Sequence, residues 1–166
     1  YTRHSNSGLQ EPGLVELENG SLWGWARTDL GRQWEMYSFD RGESWTAPEP
    51  SGFTSPCSPL SIKRIPDTNK LVAVWNPIPN YNGRKEHAGA AWTGGRTPLV
   101  LATSGDDGKS WSPPALLEDD DERGFCYTAI HFTETSMLLA YCAGGTNDRG
   151  CLNRLRIRSV PLRDLS

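Results

Sequence analysis

Ser104-Gly105-Asp106-Asp107-Gly108-Lys109-Ser110-Trp111 repeats, 66 residues earlier, as Ser38-Phe39-Asp40-Arg41-Gly42-Glu43-Ser44-Trp45. The shared pattern is S-x-D-x-G-x-S-W, and each of its positions has a physical task. The Asp carboxylate accepts hydrogen bonds from the backbone of its own turn, and the Gly takes a positive φ. The Trp buries a large ring beside the strand that follows. Both copies come after strand-like runs, Trp34 to Phe39 and Pro98 to Thr103. The pattern therefore reads as a hairpin turn inside an all-β repeat.

The turn resembles the Asp-box, or bacterial neuraminidase repeat, which joins the third and fourth strands of propeller blades in sialidases and some other propellers. Taken alone it marks a fold, a turn that staples a blade without touching substrate. A four-stranded blade takes ~40–50 residues and a ring at least four blades. The 166 residues therefore amount to about three blades in a single partial domain over 1–166, and the resemblance implies that these belong to an all-β, six-bladed propeller. The chain starts at Tyr1 rather than Met, and we expect it to be the C-terminal part of a longer propeller. A missing N-terminal segment or another chain is expected to cover its edges.

Seventeen Gly, twelve Pro and seven Trp suit many short strands joined by tight turns, so helix is expected to be scarce. The net charge of −3 comes with no dense basic run, which argues against a nucleic-acid partner and leaves any anionic ligand to a few placed arginines. No apolar run approaches the ~18 residues of a membrane span, and the sequence does not assign a compartment. Cys57, Cys126, Cys142 and Cys151 contain no C-x-x-C pair or zinc spacing. Cys142 and Cys151 either bridge a hairpin or stay free as core thiols. His4, His87 and His131 are scattered, and His131, in an apolar strand, reads as a packed core residue.

The blades are expected near 11–50, 58–117 and 126–161. The first has Gly13 to Leu17, an Asn19-Gly20 turn, Ser21 to Arg27, Trp34 to Phe39, and a fourth strand ended by Pro48 and Pro50. Asn19-Gly20-Ser21 also matches a glycosylation acceptor. The second blade runs from Ser58 through Ile62 and Val74, then through a long loop, Pro77 to Gly95, of a length that tends to be functional. The third has strands Tyr127 to Phe132, Met137 to Cys142 and Leu152 to Val160, with no box. In its last strand Arg154, Arg156 and Arg158 alternate with Leu155 and Ile157, and the arginines read as a solvated face. The run Asp119-Asp120-Asp121 reads as a solvated loop, with calcium binding as the second choice.

Antiparallel strands decide which residues share a face. Starts of odd strands and ends of even ones lie together, opposite both S-x-D-x-G-x-S-W turns. Glu11 precedes a first strand, Arg27 ends a second, Arg96 closes a second-to-third loop and Tyr127 opens a first strand. All four should converge near the propeller axis.

The runs from Leu9 to Leu17, Ala26-Arg27-Thr28, Gly95-Arg96-Thr97-Pro98 and Gly124 to Thr128 are similar in order and spacing to the catalytic half of exo-α-sialidases. In that family a Tyr is the nucleophile, a Glu polarises it and three arginines hold the sugar carboxylate. The resemblance implies Tyr127 as nucleophile, Glu11 as its partner, and Arg27 and Arg96 as the second and third arginines. It implies a sialylated glycan or related acidic sugar as substrate and no cofactor or metal. The first arginine and the acid Asp belong to the family's N-terminal blades and have no counterpart here, so this chain alone is expected to be inactive.

These residue types suit that chemistry. Sialic acid carries a carboxylate on its anomeric carbon, which a neutral phenol approaches more easily than an Asp or Glu; sialidases are the known Tyr-nucleophile exception among glycosidases. With an ordinary pKa near ~10, the phenol needs a base within hydrogen-bond reach. Arginine's planar fork matches a carboxylate. Glu16 is the alternative base, and Arg32, Arg84 and Arg123 are alternative anion ligands. Two other functions stay open, a non-catalytic carbohydrate-binding propeller and an interaction propeller that uses the turns as scaffold.

Overall fold

A computed structural model describes residues 5–78 and 93–165. His4, His87, Arg84 and most of the Pro77 to Gly95 loop lie outside the described residues. The first sheet holds β1 (Gln10–Glu16), β2 (Leu22–Arg27), β3 (Arg32–Ser38) and β4 (Glu49–Thr54), in that order. The second holds β5 (Ser61–Arg64), β6 (Leu71–Trp75), β7 (Leu99–Ser104) and β8 (Ala115–Glu118). The third has β9 (Cys126–Phe132), β10 (Ser136–Cys142) and β11 (Leu155–Pro161). All pairings are antiparallel. The first strands β1, β5 and β9 are neighbours in that order, the arrangement of blades about a propeller axis. Helix is confined, among the described residues, to the 3-10 segments Thr146–Asp148, Cys151–Asn153 and Leu162–Leu165, and no helix there is long and apolar enough to cross a membrane.

The two repeated turns share one hydrogen-bond plan. Asp40 Oδ1 accepts from Ser38 Oγ at 2.8 Å and from the Ser44 N–H at 2.9 Å, and Ser44 Oγ donates to Oδ2 at 2.5 Å. Asp106 does the same with Ser104 and Ser110 at 2.8, 2.9 and 2.5 Å. Gly42 and Gly108, at φ 95° and 84°, present their carbonyls to the indole N–H groups of Trp45 and Trp111. The second turn also reaches across to the first sheet. Asp107 accepts from the Glu18 N–H at 2.7 Å and pairs with Arg64 at 2.6 Å, and Arg64 in turn donates to the Glu16 carbonyl.

One apolar cluster, including Trp23, Trp25, Phe53, Leu71 and Trp75, joins the first and second sheets. Another, including Val72, Val74, Leu99, Phe125, Met137 and Tyr141, joins the second and third. The second sheet is thus buried on both faces, and every residue of β6 is buried.

Several expectations are corrected. Pro48 and Pro50 do not end a strand: Pro50 lies within β4, opposite Trp34, because β4 is an edge strand on which a missing N–H costs no ladder bond. His131 is exposed rather than packed. The alternation of β9 turns Cys126 and Thr128 inward and Tyr127, Ala129 and His131 outward. The arginines of β11 are likewise reversed. Leu155 and Ile157 are 68% and 66% exposed, whereas Arg156 pairs with Glu118 at 2.6 Å and lies over the Phe125 ring, and Arg158 donates to the Leu117 carbonyl. The second sheet offers acceptors to that face, so the guanidinium groups turn towards it. The last strand starts at Leu155 because Cys151–Asn153 closes into a 3-10 turn. All four cysteines are free, and Asn19 caps its turn by accepting the Ser21 N–H and hydroxyl.

Candidate functional site

Glu11 and Tyr127 sit at matching places in two different sheets. In β1, Gln10 pairs with Arg27 and Gly13 with Trp25, so Glu11 and Pro12 together face Ala26. In β9, Cys126 pairs with Cys142 and Ala129 with Ala140, so Tyr127 and Thr128 together face Tyr141. Each is a one-residue bulge, a device that re-aims a side chain. The first residue of each bulge has a positive φ, 51° for Glu11 and 58° for Tyr127. For a bulky aromatic this is an outlier that surrounding structure must hold in place, and such outliers gather at functional sites.

The two bulges bring their side chains together over 116 residues of sequence: Tyr127 Oη donates to Glu11 Oε1 at 2.8 Å. Arg27, at the end of β2, pairs with the same oxygen at 3.0 Å and donates to Tyr127 Oη at 3.4 Å. Its other contacts are the Cys57 carbonyl and Gln10 Oε1, each at 3.2 Å. Arg96 lies over the Tyr127 ring, 5.3 Å from the centroid, and donates to the Cys57 carbonyl at 3.1 Å and to Cys126 Sγ at 3.2 Å. Burial pushes the Cys126 thiol up to about 12, so it meets Arg96 as a neutral acceptor. All four residues expected on the axial face are therefore in one cluster.

Other candidates fall elsewhere. Glu16 ends β1 opposite Leu22, beside the repeated turns. Arg32 donates to the Ser51 carbonyl within its own sheet. Arg123 is held by Asp120 at 3.2 Å and Asp148 at 3.0 Å. Asp119, Asp120 and Asp121 are exposed, and among the described residues no group of three His, Cys, Asp or Glu side chains is arranged to hold a metal ion.

Two supporting groups were not named from sequence. The Cys57 carbonyl holds both guanidinium groups, and a backbone acceptor leaves no mark in residue identity. Asn76 is the second: its amide donates to the Pro98 and Phe125 carbonyls at 2.9 and 3.0 Å, tying the segments that carry Arg96 and Tyr127. A buried Asn at the end of an apolar strand is the signal that would have found it.

Burial, and then the bond to Glu11, hold the Tyr127 phenol above its ordinary pKa, while Arg27 and Arg96 act in the opposite sense. At neutral pH the phenol is protonated, with its proton already directed at a carboxylate. Arg27 has its four η N–H bonds engaged, two of them in the long contacts to Gln10 and Tyr127. Arg96 uses one bond on each η nitrogen, and the other two η N–H groups have no acceptor among the described residues. A groove of about 550 Å³ runs beside Tyr127 and Glu11 between β1, β5 and β9, with Trp25 and Leu60 in its wall. A polarised phenol, a base and two guanidinium groups beside a groove can deliver a nucleophile to a carbon that carries an anionic substituent.

The profile of the BNR repeat-like domain matches residues 2–139. No curated protein matches the chain in sequence. Among solved structures, a leech intramolecular trans-sialidase is similar at 18% identity and a TM-score of 0.66, over 93% of this chain and 24% of that one. A Streptococcus pneumoniae sialidase is similar at 19% identity and 0.65, over 94% and 24%. An α-L-arabinofuranosidase of Fusarium graminearum is similar at 13% and 0.59, over 86% and 43%. The chain thus spans about a quarter of the length of the first two. These likenesses establish the propeller fold that such glycosidases use.

Proposed function

The chain belongs to the BNR repeat-like domain family, and on that footing we propose that it carries the nucleophile side of an exo-α-sialidase-type site. The substrate is a glycan ending in sialic acid or a related carboxylated keto-sugar, cleaved with retention. The observation that carries this reading is the 2.8 Å bond from Tyr127 Oη to Glu11 Oε1, flanked by Arg27 and Arg96.

In this mechanism Tyr127 Oη attacks the anomeric carbon while its proton passes to Glu11. The bond from that carbon to the leaving oxygen breaks, and the oxygen takes a proton from an acid. The resemblance to sialidases assigns that acid to blades other than these three. Water then attacks the same carbon and gives a proton to the conjugate base of that acid, Tyr127 leaves as the phenol by recovering its proton from Glu11, and two inversions give retention. The free η N–H bonds of Arg96, and those of Arg27 now spent on Gln10 and Tyr127, would bind the sugar carboxylate in a fork.

A fluorogenic α-sialoside, offered to the longest form of the protein and to its Tyr127→Phe variant, tests the reading. Cleavage by the parent and a fall of several orders of magnitude in the variant are expected. Binding without cleavage favours a lectin-like propeller. Cleavage of an arabinofuranoside instead favours the second reading, a glycosidase for a neutral sugar, which the likeness to the Fusarium enzyme supports.

A further inference from the structure

A second cavity, of about 490 Å³, lies between the first and second sheets and shares no residue with the groove beside Tyr127. Complete four-stranded sheets flank it, so it is not an open propeller edge. Its wall is aromatic. Trp111, from the second repeated turn, meets Phe53 edge-on at 5.2 Å, and Trp23 lies parallel to Tyr37 at 6.3 Å.

Polar groups are set into that wall with bonding capacity to spare. Glu35 is half-buried; its Oε2 accepts from Trp23 Nε1 at 3.0 Å and from Tyr37 Oη at 3.5 Å, while Oε1 has no partner among the described residues. Trp75, 6% exposed, also lines the cavity and adds to its aromatic wall. Lys109 stands exposed at the rim, with no ion pair among the described residues. A half-buried carboxylate with a free oxygen facing an aromatic cavity has lost water on that side and gains free energy from a donor supplied by a ligand.

The arrangement offers ring faces, an acceptor on Glu35 and a donor on Lys109 in a space suited to one sugar residue. An organic cation would suit the aromatic wall and Glu35 but would meet Lys109 as a like charge. An apolar ligand would leave the polar groups unmatched. A neutral pyranose meets all of them: its C–H face lies on the rings and its hydroxyls both donate and accept. We propose that this cavity is a second, non-catalytic site that binds a neutral pyranose against Trp111, with hydrogen bonds to Glu35 and Lys109. The proposal does not depend on the chemistry at Tyr127.

The test uses the intact chain, titrated with the methyl glycosides of glucose, galactose, mannose and N-acetylglucosamine, and read by tryptophan fluorescence and saturation-transfer NMR. At least one glycoside should bind saturably. Trp111→Ala should weaken it at least tenfold, about 1.4 kcal/mol. Glu35→Gln, which keeps the shape and so the fold, should weaken it at least threefold, and Tyr127→Phe should leave the affinity unchanged. The proposal is overturned if none of the four glycosides saturates, if both cavity variants bind as the parent does, if Tyr127→Phe abolishes binding, or if tetramethylammonium saturates the signal and no glycoside does.

Discussion

At the scale of single residues, Glu11 is the pivot of the site, because one oxygen receives both the Tyr127 hydroxyl and the Arg27 guanidinium. Under the proposed mechanism, Glu11→Gln in the longest form of the protein should lower kcat by about 10²–10⁴-fold, the usual contribution of a positioned base. It should also shift a titration. Burial is the larger cause of the raised Tyr127 pKa and would remain, but the bond to Glu11 and its charge also raise it, so removing the charge and weakening the bond should bring the phenol pKa down. NMR of labelled tyrosine Cζ reads this directly; an unchanged or higher value would remove Glu11 from the role of polarising partner. The four site residues were legible in the sequence because strand direction alone puts them on one face. The bulges that aim them were not, since a left-handed φ normally announces itself as Gly, and here Glu and Tyr occupy it. Surrounding structure overrides the local rule at these positions, and the Cys57 carbonyl that steadies both arginines is a backbone group with no signature.

Among the elements, the two repeated turns are alike within and different without. Both carboxylates are held down to about 2, first by the hydroxyls of Ser44 and Ser110, then by backbone N–H bonds and by Ser38 and Ser104. A folded-state pKa below the unfolded value, near ~3.9, means that the stabilisation is full above that value and is lost as pH falls through about 2. Acid unfolding followed with Asp106→Asn should show a shallower dependence on pH across that window than the parent. The surroundings separate the copies. A Cβ on Gly108 would meet the Trp23 ring at 2.7 Å, whereas one on Gly42 meets nothing nearer than Leu22 at 3.6 Å. Both positions have positive φ, so Gly42→Ala should cost about 1–2 kcal/mol for the backbone. Gly108→Ala should cost about 1–3 kcal/mol more, from overpacking; urea melts of the two variants measure the difference. The repeat was legible because its hydrogen bonds are local. Which copy docks on a neighbouring sheet was not, nor was the inward turn of Arg156 and Arg158, because alternation along a strand does not say which face has a neighbour.

For the molecule as a whole, the site exists only because the three sheets are locked in register. Glu11 and Arg27 come from the first sheet, Arg96 from the connection within the second and Tyr127 from the third. The second sheet is the keystone. It carries both apolar clusters, grips the first sheet through Arg64 and Asp107, and grips the third through Ser61 and Lys63, which donate to the Thr128 and Ile130 carbonyls at 2.5 and 3.0 Å. Glu118, at the end of β8, adds a polar lock by accepting from Tyr141 Oη at 2.5 Å and pairing with Arg156 at 2.6 Å. Glu118→Ala leaves the Tyr141 hydroxyl and the Arg156 guanidinium without that partner, at a cost of about 1.5–3 kcal/mol for bonds to a charged group. Glu118 touches neither Tyr127 nor Glu11, yet the variant should disturb the 2.8 Å bond between them, since the third sheet is one of the two bodies that bond connects. The Tyr127 phenol should then titrate nearer its ordinary value even at temperatures well below the melt. If Glu118→Ala lowers Tm while the phenol titration stays where it is in the parent, the bulges hold the site by themselves and the locking of the sheets supports stability alone.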